Sequence, residues 1–182
     1  MTAVTAIAAF FAWAGAAAIV LADGRRGLAV GVGLVALGFT ALTWADGAWL
    51  KGAFLLAGGA LCAIELLRRG AQDWGLMPPG STPRLILASV GAILALWFAA
   101  SLTTGPDAPL RFACVAVLGL AAGRVLQGNA GASVLSASAA LAIALASASA
   151  LAPSDPGFAP YLIGGVIAGG ASLLPVAEPS GA

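Results

Sequence analysis

Apolar runs of about 20 residues, the length of a membrane-crossing helix, repeat along the chain, each closed by charges or by glycine and proline. The first, Ala3–Ala22, is uncharged and stops at Asp23-Gly24-Arg25-Arg26. Leu28–Ala45 is the second, and Trp49–Leu67 the third, with Lys51 at one end and Glu65 near the other. Residues 85–103 form the fourth, after which Thr-Gly-Pro-Asp-Ala-Pro ends the helix. Residues 111–128 are the fifth and weakest, because Arg111 and Arg124 leave few uncharged positions between them. Ala132–Ala152 is the sixth, and Tyr161–Leu174, flanked by Pro160 and Pro175, is a short seventh. The pattern predicts an all-α, polytopic transmembrane helix bundle of about seven spans, with residues 1–182 as a single integral membrane domain.

The first run could pass for a signal peptide, since Val20-Leu21-Ala22 resembles a cleavage site. Its leading residues, Met1 to Thr5, carry no Lys or Arg, so it reads as a retained helix. The arrangement of Lys and Arg sets an orientation. With the N-terminus outside, the inner loops carry Arg25, Arg26, Arg68, Arg69, Arg84 and Arg124, and the outer ones Lys51 and Arg111. The positive-inside rule selects this topology, which puts the C-terminus inside. Trp44, Trp49, Trp97 and Tyr161 fall toward outer helix ends as an aromatic belt, and Trp13 sits mid-span as a packing residue. The connection from Gly70 to Pro83 is the longest inner loop and is expected to be the most mobile. Inverted halves of three and four helices are a transporter arrangement, but the two halves here have no internal likeness that supports one.

Composition sharpens the class. Hydrophobic residues are 61% of the chain and charged ones 8%, against about 25% charged in a soluble domain, and mean hydropathy is +1.03. A soluble enzyme, a nucleic-acid reader and a disordered tail are excluded. The net charge of +1 gives no field for an acidic partner, so no nucleic acid is expected. There is no histidine, which removes histidine haem ligation, histidine zinc sites and histidine acid–base catalysis. Glycine supplies 25 residues, and small residues let membrane helices approach closely. Three Gly-x-x-x-Gly pairs occur, Gly27/Gly31, Gly119/Gly123 and Gly165/Gly169. The last, continued by Ser172, is the best candidate helix-packing face.

Candidate chemistry is sparse. Ser133, Ser136, Ser138, Ser147 and Ser149 form no single polar stripe, so back-bonding to their own helix is the favoured role. Cys62 and Cys114 belong at different depths, too far apart for a disulfide. No phosphate-binding loop is present, and Asp23-Gly24 and Asp46-Gly47 lie on opposite faces and read as interfacial turns. The ionisable residues within spans are Glu65 and Arg124, both near inner helix ends. Their similar depth makes them a candidate intramembrane ion pair joining helices three and five. The local alternative pairs Glu65 with Arg68 or Arg69, one turn away.

These features point to a non-catalytic integral membrane subunit that packs into, anchors or stabilises a larger complex. Its surroundings would be the lipid bilayer of a bacterial-type cytoplasmic membrane, with other subunits or further copies of itself as partners. The alternative is a small transporter or channel for protons or a neutral solute, whose site belongs near the midplane on polar-lined, broken helices. An intramembrane enzyme is disfavoured, with no acid, base and nucleophile to assemble. No catalytic residue, cofactor or metal is expected, two Met and two separated Cys being the only soft ligands.

Overall fold

A computed structural model describes residues 3–69, 82–102, 105, 107–127 and 131–174. Its regular elements among these residues are all helices: α1 (Ala3–Leu21), α2 (Arg25–Ala45), α3 (Trp49–Arg68), α4 (Thr82–Leu102), α5 (Ala108–Gln127), α6 (Gly131–Ala148, extended by a 3₁₀ turn, Ser149–Leu151) and α7 (Ala159–Ala171). Helix ends follow backbone chemistry. After α2, Gly47 adopts φ +78° and donates to the Trp44 carbonyl at 2.9 Å, a left-handed stop that favours glycine. Before α5, Asp107 itself sits at φ 60°, a conformation Asp tolerates better than most residues. Pro160 occupies the first turn of α7, where a missing N–H is harmless.

Five helices, α1, α2, α3, α5 and α6 with its 3₁₀ turn, are long and apolar enough to cross a membrane. Two further apolar stretches, Ser89–Ser101 within α4 and Ala159–Ala171, are shorter. The expected spans need adjusting at their ends. Helix α2 begins at Arg25 rather than Leu28, α5 at Ala108 rather than Arg111, and α7 stops at Ala171, short of Leu174. At 1.5 Å per residue α7 is about 20 Å long, less than the roughly 30 Å of a hydrocarbon core. The predicted loop 70–83 lies outside the described residues except for Thr82 and Pro83, which open α4.

Six helices close a ring in the order α1, α2, α3, α7, α6, α5, and α4 lies outside it against α5 and α1. The ring encloses no lumen, because α2 and α6 touch across it. Glycine makes this closeness possible. A Cβ on Gly15 would sit 2.6 Å from the Gly31 carbonyl oxygen, and one on Gly38 2.6 Å from the Ala12 nitrogen, so α1 and α2 meet backbone to backbone. A Cβ on Gly58 would run into the backbone of Gly165, locking α3 to α7 in the same way. Gly119 and Gly123 differ: a Cβ there meets nothing within 4 Å, so that pair faces outward.

The outer faces of the helices are apolar. Phe10 and Ile7 on α1, Leu37 on α2, Ile64 on α3, Ile93 and Trp97 on α4 and Val166 on α7 are all exposed. Charged residues gather at the two ends. Such a surface is unstable in water and suited to lipid, and the five long apolar helices point to a membrane-embedded protein.

Candidate functional site

Helices alternate in direction, so the polar groups sort into two ends. One end carries Asp23, Arg25, Arg26, Glu65, Arg68, Arg69 and Arg124; the other carries Asp46, Lys51, Asp107, Arg111 and Asp155.

At the arginine-rich end, Arg124 lies in the last turn of α5 and is only 4% exposed. Its Nη2 donates to the Ala22 carbonyl at 3.1 Å and to Asp23 Oδ1 in an ion pair. Ala22 follows directly on α1, whose last carbonyls have no helical partner and carry partial negative charge. The guanidinium therefore neutralises a carboxylate and a helix end together. Among the described residues its buried Nε meets no hydrogen-bond partner.

The expected Glu65–Arg124 pair is not formed. Glu65 accepts from Arg69 Nε at 3.0 Å and lies 4.0 Å from Arg68 Nη1, both on its own helix. The correction has a simple physical origin. Helix α3 packs on α2, α7 and α6, so α2 and α6 stand between Glu65 and α5, and each charge takes a nearer partner. Depth was legible in the sequence; adjacency was not. Asp23 was readable only as a turn residue, although it shares an end with Arg124 and has the opposite sign.

Arg69 also ties down α7, its Nη1 donating to the Ser172 carbonyl at 3.0 Å, while Arg25 Nη1 donates to the Arg69 carbonyl. Ser172 Oγ bonds back to the Gly169 carbonyl at 2.6 Å. Gly165 and Gly169 face α3: the backbones of Gly165, Phe54 and Gly58 are in contact, and a Cβ on Gly169 would lie 3.0 Å from Leu61. Between α2, α3, α6 and α7 these residues leave a cavity of about 320 Å³ lined by Arg25, Cys62, Glu65, Arg69 and Ser136.

At the other end Lys51 Nζ bonds Asp155 Oδ1 at 2.6 Å, joining α3 to the segment before α7, and sits 5.5 Å over the ring of Tyr161. Tyr161 is 2% exposed, so it is a buried prop for Lys51 and not part of a lipid-facing belt. Trp44 and Trp49 do form a surface pair, with ring centroids 5.3 Å apart and Trp44 Nε1 donating to the Trp49 carbonyl at 3.1 Å. The Lys51 hydrogen bond, followed by that of the Gly157 N–H, holds the Asp155 carboxyl below its ordinary value. Burial, and then the nearby Asp107 carboxylate, push Asp46 up. A second cavity of about 310 Å³ lies here, lined by Asp46, Lys51, Ser147, Asp155 and Tyr161.

Between the two cavities the bundle is closed by Ala12, Val35, Ala36, Val117, Ala140 and Ile143, all at most 1% exposed. Ser136 and Ser147 donate to the Ala132 and Ile143 carbonyls of their own helix at 2.7 and 2.9 Å. Trp13 packs mid-bundle, its Nε1 donating to the Ala92 carbonyl of α4 at 3.3 Å. Cys62 and Cys114 are buried free thiols, and among the described residues no three Cys, Asp or Glu side chains converge as metal ligands. Chemically the arrangement can hold charges at both ends of the bundle. No family model matches the chain, and no similar protein was found among curated proteins or solved structures.

Proposed function

We propose that this chain is a non-catalytic integral membrane subunit that packs into, anchors or stabilises a larger membrane protein complex. The observation that carries the reading is the layer of buried aliphatic side chains between two charged ends. Transport sites belong near the midplane with polar linings, and catalysis needs converging acid, base or nucleophile groups. In this reading all seven helices lie within the bilayer, with the short α7 held against α3 and α6. The N-terminus is outside and the C-terminus inside, in a bacterial-type cytoplasmic membrane. Support for that orientation comes from Arg25, Arg26, Arg68, Arg69 and Arg124 at one end against Lys51 and Arg111 at the other.

Extraction in mild detergent followed by native mass measurement tests the reading. A mass that includes chains of other sequence, or a defined multiple of this one, is expected; a lone chain overturns it. Orientation is tested with cysteine at exposed Ser154, which should be labelled from the outer side, the two native thiols being buried. A second reading, a small transporter for protons or a neutral solute, is favoured by one observation: cavities open at both ends of the same bundle. It requires the central layer to part.

A further inference from the structure

The connection between α6 and α7 has features that a plain turn would lack. Its base is tied. A Cβ on Gly164 would lie 2.6 Å from the Ala146 Cβ, so the two helices meet closely where the connection leaves them. The Tyr161 hydroxyl also lies against the Ser149 side chain. Beyond that base the chain is exposed at Ala152, Pro153, Ser154 and Asp155. Gly157 then adopts φ +70°, a left-handed turn that favours glycine. Surface loops whose ends are held together form compact units and frequently carry function.

One contact fixes the tip of this loop. Lys51 Nζ on α3 bonds Asp155 Oδ1 at 2.6 Å, and the same oxygen accepts from the Gly157 N–H at 3.0 Å. Among the described residues, no other hydrogen bond or ion pair joins 152–157 to a helix outside the two it connects. Water reaches the pair, whose side chains are 22% and 72% exposed, so parting it strands no buried charge. Lys51 keeps a second support in the Tyr161 ring, 5.5 Å away, whereas Asp155 moves with the loop. The loop also gives the outer cavity a wall, through Ala150, Ala152, Asp155 and Pro156. The floor of that cavity is shut: Ser147 is 1% and Tyr161 2% exposed.

We propose that residues 152–157 are a hinged lid over this cavity, latched to α3 by the Lys51–Asp155 pair and opening to admit water to Ser147. Segments with few buried contacts and exposed hydrogen bonds open locally without unfolding the whole. The aliphatic layer between the two ends takes no part, so the opening is one-sided. The proposal is independent of partner subunits.

The test is the rate at which an uncharged, water-soluble maleimide labels Ser147→Cys in the full chain, the two native thiols being buried. With the latch intact, labelling should be slow. Lys51→Met and Asp155→Asn should each raise the rate about two- to fivefold, the change in open population that loss of an exposed ion pair gives. These variants alter the local charge in opposite directions. A field effect on the thiol would therefore move the two rates apart, whereas opening moves them together. Added salt should speed labelling when the latch is intact, through screening, and leave both latch variants unchanged. Ser136→Cys, buried at the opposite end, should react at one rate in every background. Should Ser147→Cys fail to fold, Thr43→Cys in the same lining is the reporter. Unchanged rates in the latch variants, a rise in one without the other, or a parallel rise at Ser136→Cys overturns the lid.

Discussion

Each end of the bundle has an ion pair that joins separate segments, and the two pairs differ in how far they are withdrawn from water. The side chains of Arg124 and Asp23 are 3% and 30% exposed; those of Lys51 and Asp155 are 22% and 72% exposed. The first pair is bound into the helix packing, with Arg124 also capping the end of α1. The second rests on a connecting segment and can be resolvated if broken. Breaking a buried pair leaves an uncompensated charge, whereas an exposed pair contributes little. The arginine-rich end should therefore set the stability of the bundle, and the other end should respond mainly to pH.

The largest effect is expected from Arg124→Gln, which strands Asp23 and the Ala22 carbonyl and should cost about 3–5 kcal/mol in detergent unfolding. In a cycle with Asp23→Asn the coupling should be about 1–3 kcal/mol. A cycle of Glu65→Gln with Arg124→Gln should give almost none. Coupling in the second cycle larger than in the first would reverse the assignment of partners.

Next comes the layer separating the ends. Gly58→Ala places a methyl against the Gly165 backbone and should destabilise by about 1–3 kcal/mol, the range for overpacking. Gly119→Ala meets nothing within 4 Å and should stabilise the isolated chain by up to about 1 kcal/mol through helix propensity. Thermal unfolding of both variants distinguishes a glycine needed for contact from one that is not.

Smaller changes are expected at the Lys51 end. The Asp155 carboxyl is held low by Lys51, so its stabilising effect is present above the ordinary carboxylate value of 3.8 and lost as pH falls through the lowered one. Removing it with Asp155→Asn should shift the melting temperature less than Arg124→Gln does, and the shift should vanish in strong acid. Asp46 has the opposite sign. Burial and Asp107 raise its carboxyl, so the folded state takes up its proton more readily and gains stability as pH falls through that raised value. Asp46→Asn should therefore slightly raise the melting temperature at neutral pH and have no effect in strong acid. Melting curves across pH check both.

Much of this architecture was legible in the sequence, and the limits have physical causes. Uncharged runs located all seven helices because apolar length is a local property. The helix ends moved by a few residues because Arg25 and Ala108 can begin a helix as readily as leave it. Serine back-bonding at Ser136 and Ser147 was also readable, since both partners lie on one helix. The partner of Arg124 was not, because it depends on which helices are neighbours. Both cavities were illegible for the same reason: the residues lining each come from at least three segments distant in sequence.

The central claim is that the layer of Ala36, Val117, Ala140 and Ile143 seals the bundle between its two charged ends. The most direct test is permeability of liposomes reconstituted with the purified chain, followed with an internal pH dye and with the swelling caused by small neutral solutes. The account predicts proton and solute leak equal to that of protein-free liposomes. Flux that rises in proportion to the amount of chain inserted would contradict it and establish a transport path through the layer.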